Sequence, residues 1–93
     1  MMKNKQGLIG LIHDKWQKKH YGGKRKGQHS YRLNVHIENK PVKVIEVYPE
    51  KVNQQIWQTI EQSNFIDKRY IFHCLNYMGN YHLINWEELK DHD

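Results

Sequence analysis

The 93-residue chain contains a single cysteine and no long apolar run. The apolar stretch from Leu8 to Ile12 is followed at once by His13 and charged residues, so it is too short for a signal-peptide core or a membrane span. Cys74 alone excludes an internal disulfide and any multi-cysteine metal centre, and it fits a reducing compartment. These absences predict a cytoplasmic protein without a targeting segment.

Alanine is also missing, and lysines outnumber arginines by twelve to three. This usage, with abundant Asn and Ile, is typical of an AT-rich genome such as that of a low-GC bacterium, its phage or another mobile element. Part of the lysine content therefore reflects codon bias, and only the distribution of the charge along the chain is informative.

Positive charge is concentrated at one end of the chain. Residues 1–32 hold nine Lys or Arg residues against the single acid Asp14, a net charge of +8, whereas the remainder sums to −3. A basic segment joined to a mildly acidic body indicates a polyanionic partner, most often nucleic acid. A basic tail kept for solubility is the simpler alternative.

The apolar periodicity predicts an α+β domain with the order α-β-β-α-β-β. The helical spacing of Leu8, Leu11, Ile12 and Trp16 favours a first helix over about 5–20 with these residues on its buried side. Period-two alternation predicts strands at 31–37 and 42–48. A second helix is expected over 50–62, followed by runs 69–78 and 81–86 joined by a Gly-Asn turn. We expect one antiparallel sheet with the helices packed on one face.

Length and pattern together favour a single domain over 1–93. We divide it into a basic helix and mobile basic loop over 1–29, an α+β body over 30–86 and a polar tail over 87–93.

The region between the first helix and the first strand carries the clearest chemistry. Three glycines surround three consecutive charges within residues 20–29, which indicates a loop whose backbone N–H groups and cations approach phosphates. We expect phosphate contacts and base stacking from a set of basic and aromatic side chains. The set is Lys15, Lys18, Lys19, Lys24, Arg25, Lys26 and Arg32, with Tyr21 and Tyr31 as the aromatic members.

Spacing argues against catalytic and metal chemistry. His73 and Cys74 are adjacent on a predicted strand, so their side chains point to opposite faces and form no dyad. On the predicted helix His13 and His20 lie about 10 Å apart, too far to chelate one ion without other ligands. The sequence therefore predicts no catalytic residue, no metal and no cofactor.

We interpret the chain as a small non-catalytic nucleic-acid-binding accessory protein with weak sequence specificity, since no recognition-helix or zinc-finger motif is present. The alternative is a docking subunit or inhibitor of a larger DNA-processing or defence enzyme, with the aromatic hairpin 69–86 as its interface. The sequence leaves open DNA or RNA, single or double strand, the oligomeric state and which sheet face is core.

Overall fold

The computed structural model describes residues 4–90, apart from the side chains of Asn4 and Arg25, and most of this part of the chain is strand. Its five strands are β1 (Asn4–Lys19), β2 (His29–Ile37), β3 (Lys43–Val47), β4 (Arg69–Tyr77) and β5 (Asn80–Leu89), and the α-helix α1 (Gln54–Glu61) lies between β3 and β4. A 3-10 turn, Gly23–Arg25, lies between β1 and β2.

The strands close into a barrel in the order β1-β2-β3-β5-β4, with β4 next to β1. All neighbours are antiparallel except β3 and β5, which are parallel and pair through only two residues on each strand. This connectivity, with the helix between the third and fourth strands, is that of the OB fold, a five-stranded Greek-key barrel. The prediction of an α+β fold with helices packed on one sheet face is therefore wrong.

The main error concerns residues 4–19, which form the longest strand instead of a helix. Leu8 and Ile12 face the core, and a β-bulge at His13 shifts the register from Ile12–Val35 to Asp14–Asn34. After the bulge the alternation is inverted, so Trp16 faces outward. The bulge produces apolar spacing that resembles a helical period, while Gly7 and Gly10 lower the helical propensity.

Gly10 allows β1 to pair with two neighbouring strands. Its backbone pairs with Ile37 on β2 and with Tyr70 on β4, at the point where β1 passes from one partner to the other. A Cβ atom at this position would lie 2.4 Å from the carbonyl oxygen of His36. The barrel therefore requires glycine where these backbones approach most closely.

The interior of the barrel is the hydrophobic core. Every strand contributes inward residues, and α1 adds Ile56 and Ile60. Phe72, Cys74 and Leu83 are fully buried, so the hairpin face that holds them is the core face. The other hairpin face carries His73 and His82 on the outside of the barrel, and this assigns the two faces that the sequence left open.

The remaining elements follow the sequence prediction closely. The strand predictions at 31–37 and 42–48 are confirmed, as is a helix within 50–62, although the helix begins later because Asn53 is its N-cap. The Asn53 Oδ1 accepts a hydrogen bond of 2.8 Å from the Ile56 amide. The hairpin is also confirmed, but its turn residues are Met78 and Gly79, both with positive φ.

The C-terminal boundary differs from the prediction. Strand β5 continues to Leu89, so residues 87–89 belong to the sheet and not to a polar tail, and residues 91–93 lie outside the described part of the chain. Within residues 4–90, no helix is both long and apolar enough to cross a membrane.

Candidate nucleic-acid interface

The basic loop, residues 20–28, connects β1 to β2 and is closed at its base by backbone hydrogen bonds. The His20 amide donates to the Gln28 carbonyl at 3.0 Å, and the Gly27 amide donates back to the His20 carbonyl at 2.9 Å. Gly23 and Gly27 have φ of 72° and 83°, in the left-handed region that glycine adopts without strain. The loop therefore has a defined backbone shape that depends on its glycines.

A partly buried polar contact fixes the start of this loop to the barrel. The His20 Nε2 lies 2.9 Å from the Ser30 Oγ, and the His20 ring packs against Tyr48 with centroids 6.1 Å apart. Ser30 is only 2% exposed. Solvent therefore does not reach the hydroxyl in this conformation, and the pair connects the loop to β2. This contact joins residues ten positions apart in the chain and was not predicted from the sequence.

The loop forms an open pocket of about 340 Å³, with walls that are rich in cations and ring side chains. Its lining residues are Lys19, His20, Tyr21, Lys26, Gly27, Gln28 and His29. Lys19 and Lys26 are exposed and form no ion pair with any described residue. Tyr21 is 84% exposed beside them. Exposed cations beside an accessible aromatic ring are the combination of charge and stacking surface that is typical of proteins that bind single-stranded nucleic acid.

The outer surface of β1 and β2 continues this chemistry beyond the loop. Trp16 is 47% exposed and lies directly opposite Arg32 in the strand register, and exposed Lys18 follows two residues after Trp16 on the same face. We call the surface formed by Trp16, Lys18, Arg32 and the basic loop the basic face. Trp16 is a functional candidate that sequence reasoning missed, because helical spacing assigned it to the buried side.

One acidic residue, Glu46, offsets the positive charge of Arg32 on the basic face. The Arg32 Nε donates to the Glu46 Oε1 at 3.2 Å, and the His82 Nε2 lies 3.5 Å from the Glu46 Oε2. A phosphate must compete with Glu46 for Arg32, whereas the loop lysines are free of such competition. Arg32 is therefore less available to an anion than Lys24 or Lys26.

Two residues of the predicted set do not belong to the basic face. The Lys15 Nζ donates to the Ile60 carbonyl and to the Ser63 Oγ, both at 2.9 Å, and lies 5.0 Å from the centre of the Tyr31 ring. Tyr31 is 6% exposed and packs against Trp57. Both side chains lie on the inner side of the ladder, so they stabilise the contact between β1, β2 and α1.

The Tyr31 hydroxyl has a further role in that contact. It donates to the Glu61 Oε2 at 3.4 Å, and the His29 Nε2 lies 3.1 Å from the same oxygen. Burial, and then the charge and hydrogen bond of Glu61, raise the pKa of Tyr31 above its usual value. The phenol therefore remains a hydrogen-bond donor to Glu61 at neutral pH.

The other predicted residues lie in the loop or beside it. Lys18, Lys19 and Lys24 are exposed, as is Lys26. The backbone of Arg25 closes the 3-10 turn, but its side chain lies outside the described structure. The structure thus brings Lys18, Lys19, Tyr21, Lys24, Lys26 and Arg32 to one region and places Lys15 and Tyr31 elsewhere.

No group of three or more His, Cys, Asp or Glu side chains within residues 4–90 is arranged to hold a metal ion. Cys74 lies in the core, where burial raises the pKa of its thiol to about 12. His73, on the opposite face, pairs with Glu87 through an Nε2–Oε2 distance of 2.8 Å. The two adjacent side chains point to opposite sides of the strand, as the alternation predicts.

The fold and the basic face together define a small five-stranded barrel with an aromatic, cation-rich surface beside its first loop. No family model matches the chain, and searches of the curated proteins and of the solved structures also found no match. The assignment of the OB topology rests on the strand connectivity described above.

Proposed function

We propose that this protein is a non-catalytic accessory protein that binds single-stranded nucleic acid on its basic face with weak sequence specificity. The observation that carries the proposal is the combination of exposed Trp16 and Tyr21 with loop lysines that have no ion-pair partner among the described residues. Aromatic side chains stack on any base, and lysines follow the phosphate backbone of any sequence.

The barrel geometry favours a single strand over a duplex. Strands β2 and β3 and the loops β1–β2 and β4–β5 are the surfaces on which barrels of this topology bind oligonucleotides. Stacking on Trp16 requires an unpaired base, and the one α-helix within residues 4–90 carries no Lys or Arg that would contact the phosphates of a duplex groove. Fold alone does not determine function, so the charge and the exposed rings carry the argument.

The first test is the salt dependence of oligonucleotide binding. Replacing Lys19, Lys24 and Lys26 together with Gln removes three phosphate contacts, and the slope of log affinity against log salt should flatten by about 2 units, at about 0.7 per contact. The matched control replaces Lys5, Lys40 and Lys90, which are exposed but lie away from the loop. The control changes the net charge equally, so a similar loss in both variants would show that the loop is not a site.

The second test is stacking on Trp16, the most exposed of the three tryptophans. A single-stranded oligonucleotide should quench its fluorescence, and Trp16→Phe should remove most of the quenching. Trp16→Ala should weaken binding by roughly 5- to 150-fold, the value of one stacked base. Trp57→Phe, at a half-buried position against the core, is the control. Equal affinity for duplex and single strand, without quenching, would exclude the stacking role.

The alternative of docking on a larger protein is favoured by a different surface. Ile9 is 42% exposed on the outside of β1 and pairs with half-buried Ile71 on β4, away from the basic face. Tyr70 and Phe72 of the predicted aromatic interface lie in the core, so only the outer face of the hairpin 69–86 remains available for docking. Co-purification of a partner that is lost in Ile9→Lys, with oligonucleotide binding retained, would support this alternative.

A further inference from the structure

A second cavity lies between α1 and the ends of β4 and β5 and shares no residue with the pocket of the basic loop. Its volume is about 540 Å³, within the range of small-molecule sites. Its lining is polar, and it consists of Asn53, Gln55, Ile56, Thr59, Asn64, Lys68, Tyr70, Asn85, Trp86 and Glu88. Ligand pockets are usually more apolar, so this lining indicates an unusually polar ligand.

A buried hydroxyl without a partner lies at this cavity. Tyr70 is 2% exposed, and within residues 4–90 its Oη makes no hydrogen bond. A buried hydroxyl that lacks a partner costs about 1–3 kcal/mol, and native proteins rarely leave one unsatisfied. A ligand in the cavity that accepts this hydrogen bond would remove the cost.

The hydroxyl remains a donor under all ordinary conditions. Burial and, second, the charge of Glu88 raise the pKa of Tyr70 to about 12. Glu88 is the register partner of Tyr70 and also lines the cavity, so the phenol lies near the polar part of this site. The ligand must therefore offer an acceptor to Tyr70.

Further hydrogen-bonding groups at the cavity are free. The side chains of Gln55 and Asn85 and the indole N–H of Trp86 make no hydrogen bond to a described residue. Each amide both donates and accepts, which matches hydroxyl groups that do the same. The Trp86 ring is half-buried and stacks on Tyr70 with centroids 4.1 Å apart, which fixes its position at the cavity.

Charge argues against a phosphorylated ligand. Lys68 is the one cation that lines the cavity, and its Nζ lies 3.3 Å from the Glu88 Oε1. A phosphate would have to displace Glu88 from Lys68 and would be repelled by the displaced carboxylate. A neutral ligand avoids both penalties.

We propose that this cavity is a binding site for a neutral saccharide of one or two rings, held by Tyr70, Trp86, Gln55 and Asn85. The ligand hydroxyls accept from Tyr70 and the indole N–H and exchange hydrogen bonds with the two amides, while a ring face packs on Trp86. The site is separate from the basic face, so it does not depend on nucleic-acid binding.

Side-chain resonances provide a direct test. Glucose, galactose, N-acetylglucosamine, maltose and cellobiose are each titrated into 15N-labelled protein up to about 50 mM, enough to detect a Kd of roughly 10 mM. We expect at least one sugar to shift the Trp86 indole resonance and the Gln55 and Asn85 amide resonances. Adenosine is titrated in the same way, as a polar ring compound that is not a sugar. Failure of all five sugars to shift these resonances would overturn the proposal, and so would shifts with adenosine and with none of the sugars.

Variants distinguish a ligand role from a structural one. Tyr70→Phe should weaken sugar binding roughly three- to tenfold, the value of one neutral hydrogen bond, and should leave thermal stability equal or higher because the hydroxyl has no protein partner. Gln55→Ala should weaken binding, whereas Gln58→Ala, on the same helix but outside the cavity, should not. Unchanged sugar affinity in Tyr70→Phe would overturn the assignment, and all three variants should bind oligonucleotides normally.

Discussion

Lys15→Met tests whether Lys15 has a structural role that the exposed lysines of the basic face do not share. Lys15 caps the C-terminus of α1, where Ser63 has a φ of 56° and the Asn64 amide donates to the Thr59 carbonyl at 3.0 Å. This is the Schellman arrangement with serine in place of the usual glycine. The Lys15 Nζ donates to the Ile60 carbonyl and the Ser63 Oγ and so holds this terminus against β1.

The expected cost of Lys15→Met is the sum of a few modest terms. A charged hydrogen bond to the Ile60 carbonyl contributes about 1.5 kcal/mol, and the bond to Ser63 about 1 kcal/mol. The third contact, to the Glu61 carbonyl at 3.3 Å, is exposed and contributes little. Methionine keeps the packing of the lysine stem, so we expect a loss of about 2–3 kcal/mol and a fall in Tm of roughly 10–20 °C.

The assay compares Lys15→Met with Lys18→Met by thermal unfolding and by oligonucleotide titration over a range of salt. Lys18 is exposed, so its substitution should leave Tm nearly unchanged and flatten the salt slope by about 0.7. Lys15→Met should show the opposite behaviour, a lower Tm with the slope retained at temperatures where it is folded. A stable Lys15→Met protein with a flattened slope would refute the capping role and restore Lys15 to the phosphate contacts.

Two further predictions concern the barrel interior. Gly10→Ala should lower the free energy of unfolding by about 1–3 kcal/mol, because the added Cβ would overlap the His36 carbonyl oxygen. Urea unfolding measures this loss, and an unchanged midpoint would exclude the close approach of these backbones. Burial raises the pKa of Cys74 to about 12 from an ordinary value of 9.0, so its contribution to stability is complete below pH 9 and is lost as pH rises towards 12. At pH 8, iodoacetamide should therefore modify Cys74 only when urea unfolds the chain, and rapid labelling of the folded protein would contradict its burial.

Strands with regular alternation were predictable from sequence, and the bulged strand was not. In β2, Leu33, Val35 and Ile37 all face the core, so a period of two identifies the element. In β1 the bulge at His13 interrupts that period, because Leu8 and Ile12 before it face the core, whereas Trp16 after it faces outward. Barrel closure depends on pairing between distant strands, which no local pattern records.

The candidate site was predictable where it depends on composition. The exposed, cation-rich loop between β1 and β2 was predictable because its glycines and clustered charge are visible in sequence. The exposure of Trp16 and the inward position of Lys15 were missed, because both residues were placed on a helix that the bulged strand replaces. The cavity at Tyr70 joins residues from α1, β4 and β5, so sequence spacing could not have shown it.

The sharing of β1 between two partners has a consequence for the order in which the chain can fold. Its second half pairs with β2 across a short loop, but its first half pairs with β4, which is separated from it by about sixty residues. During synthesis, Lys5 to Ile9 remain an unpaired strand edge until β4 has been made, and such edges promote association with other chains. The first half of β1 thus completes its pairing late. The hairpin of β2 and the second half of β1, which carries the basic loop, can form before the barrel has closed.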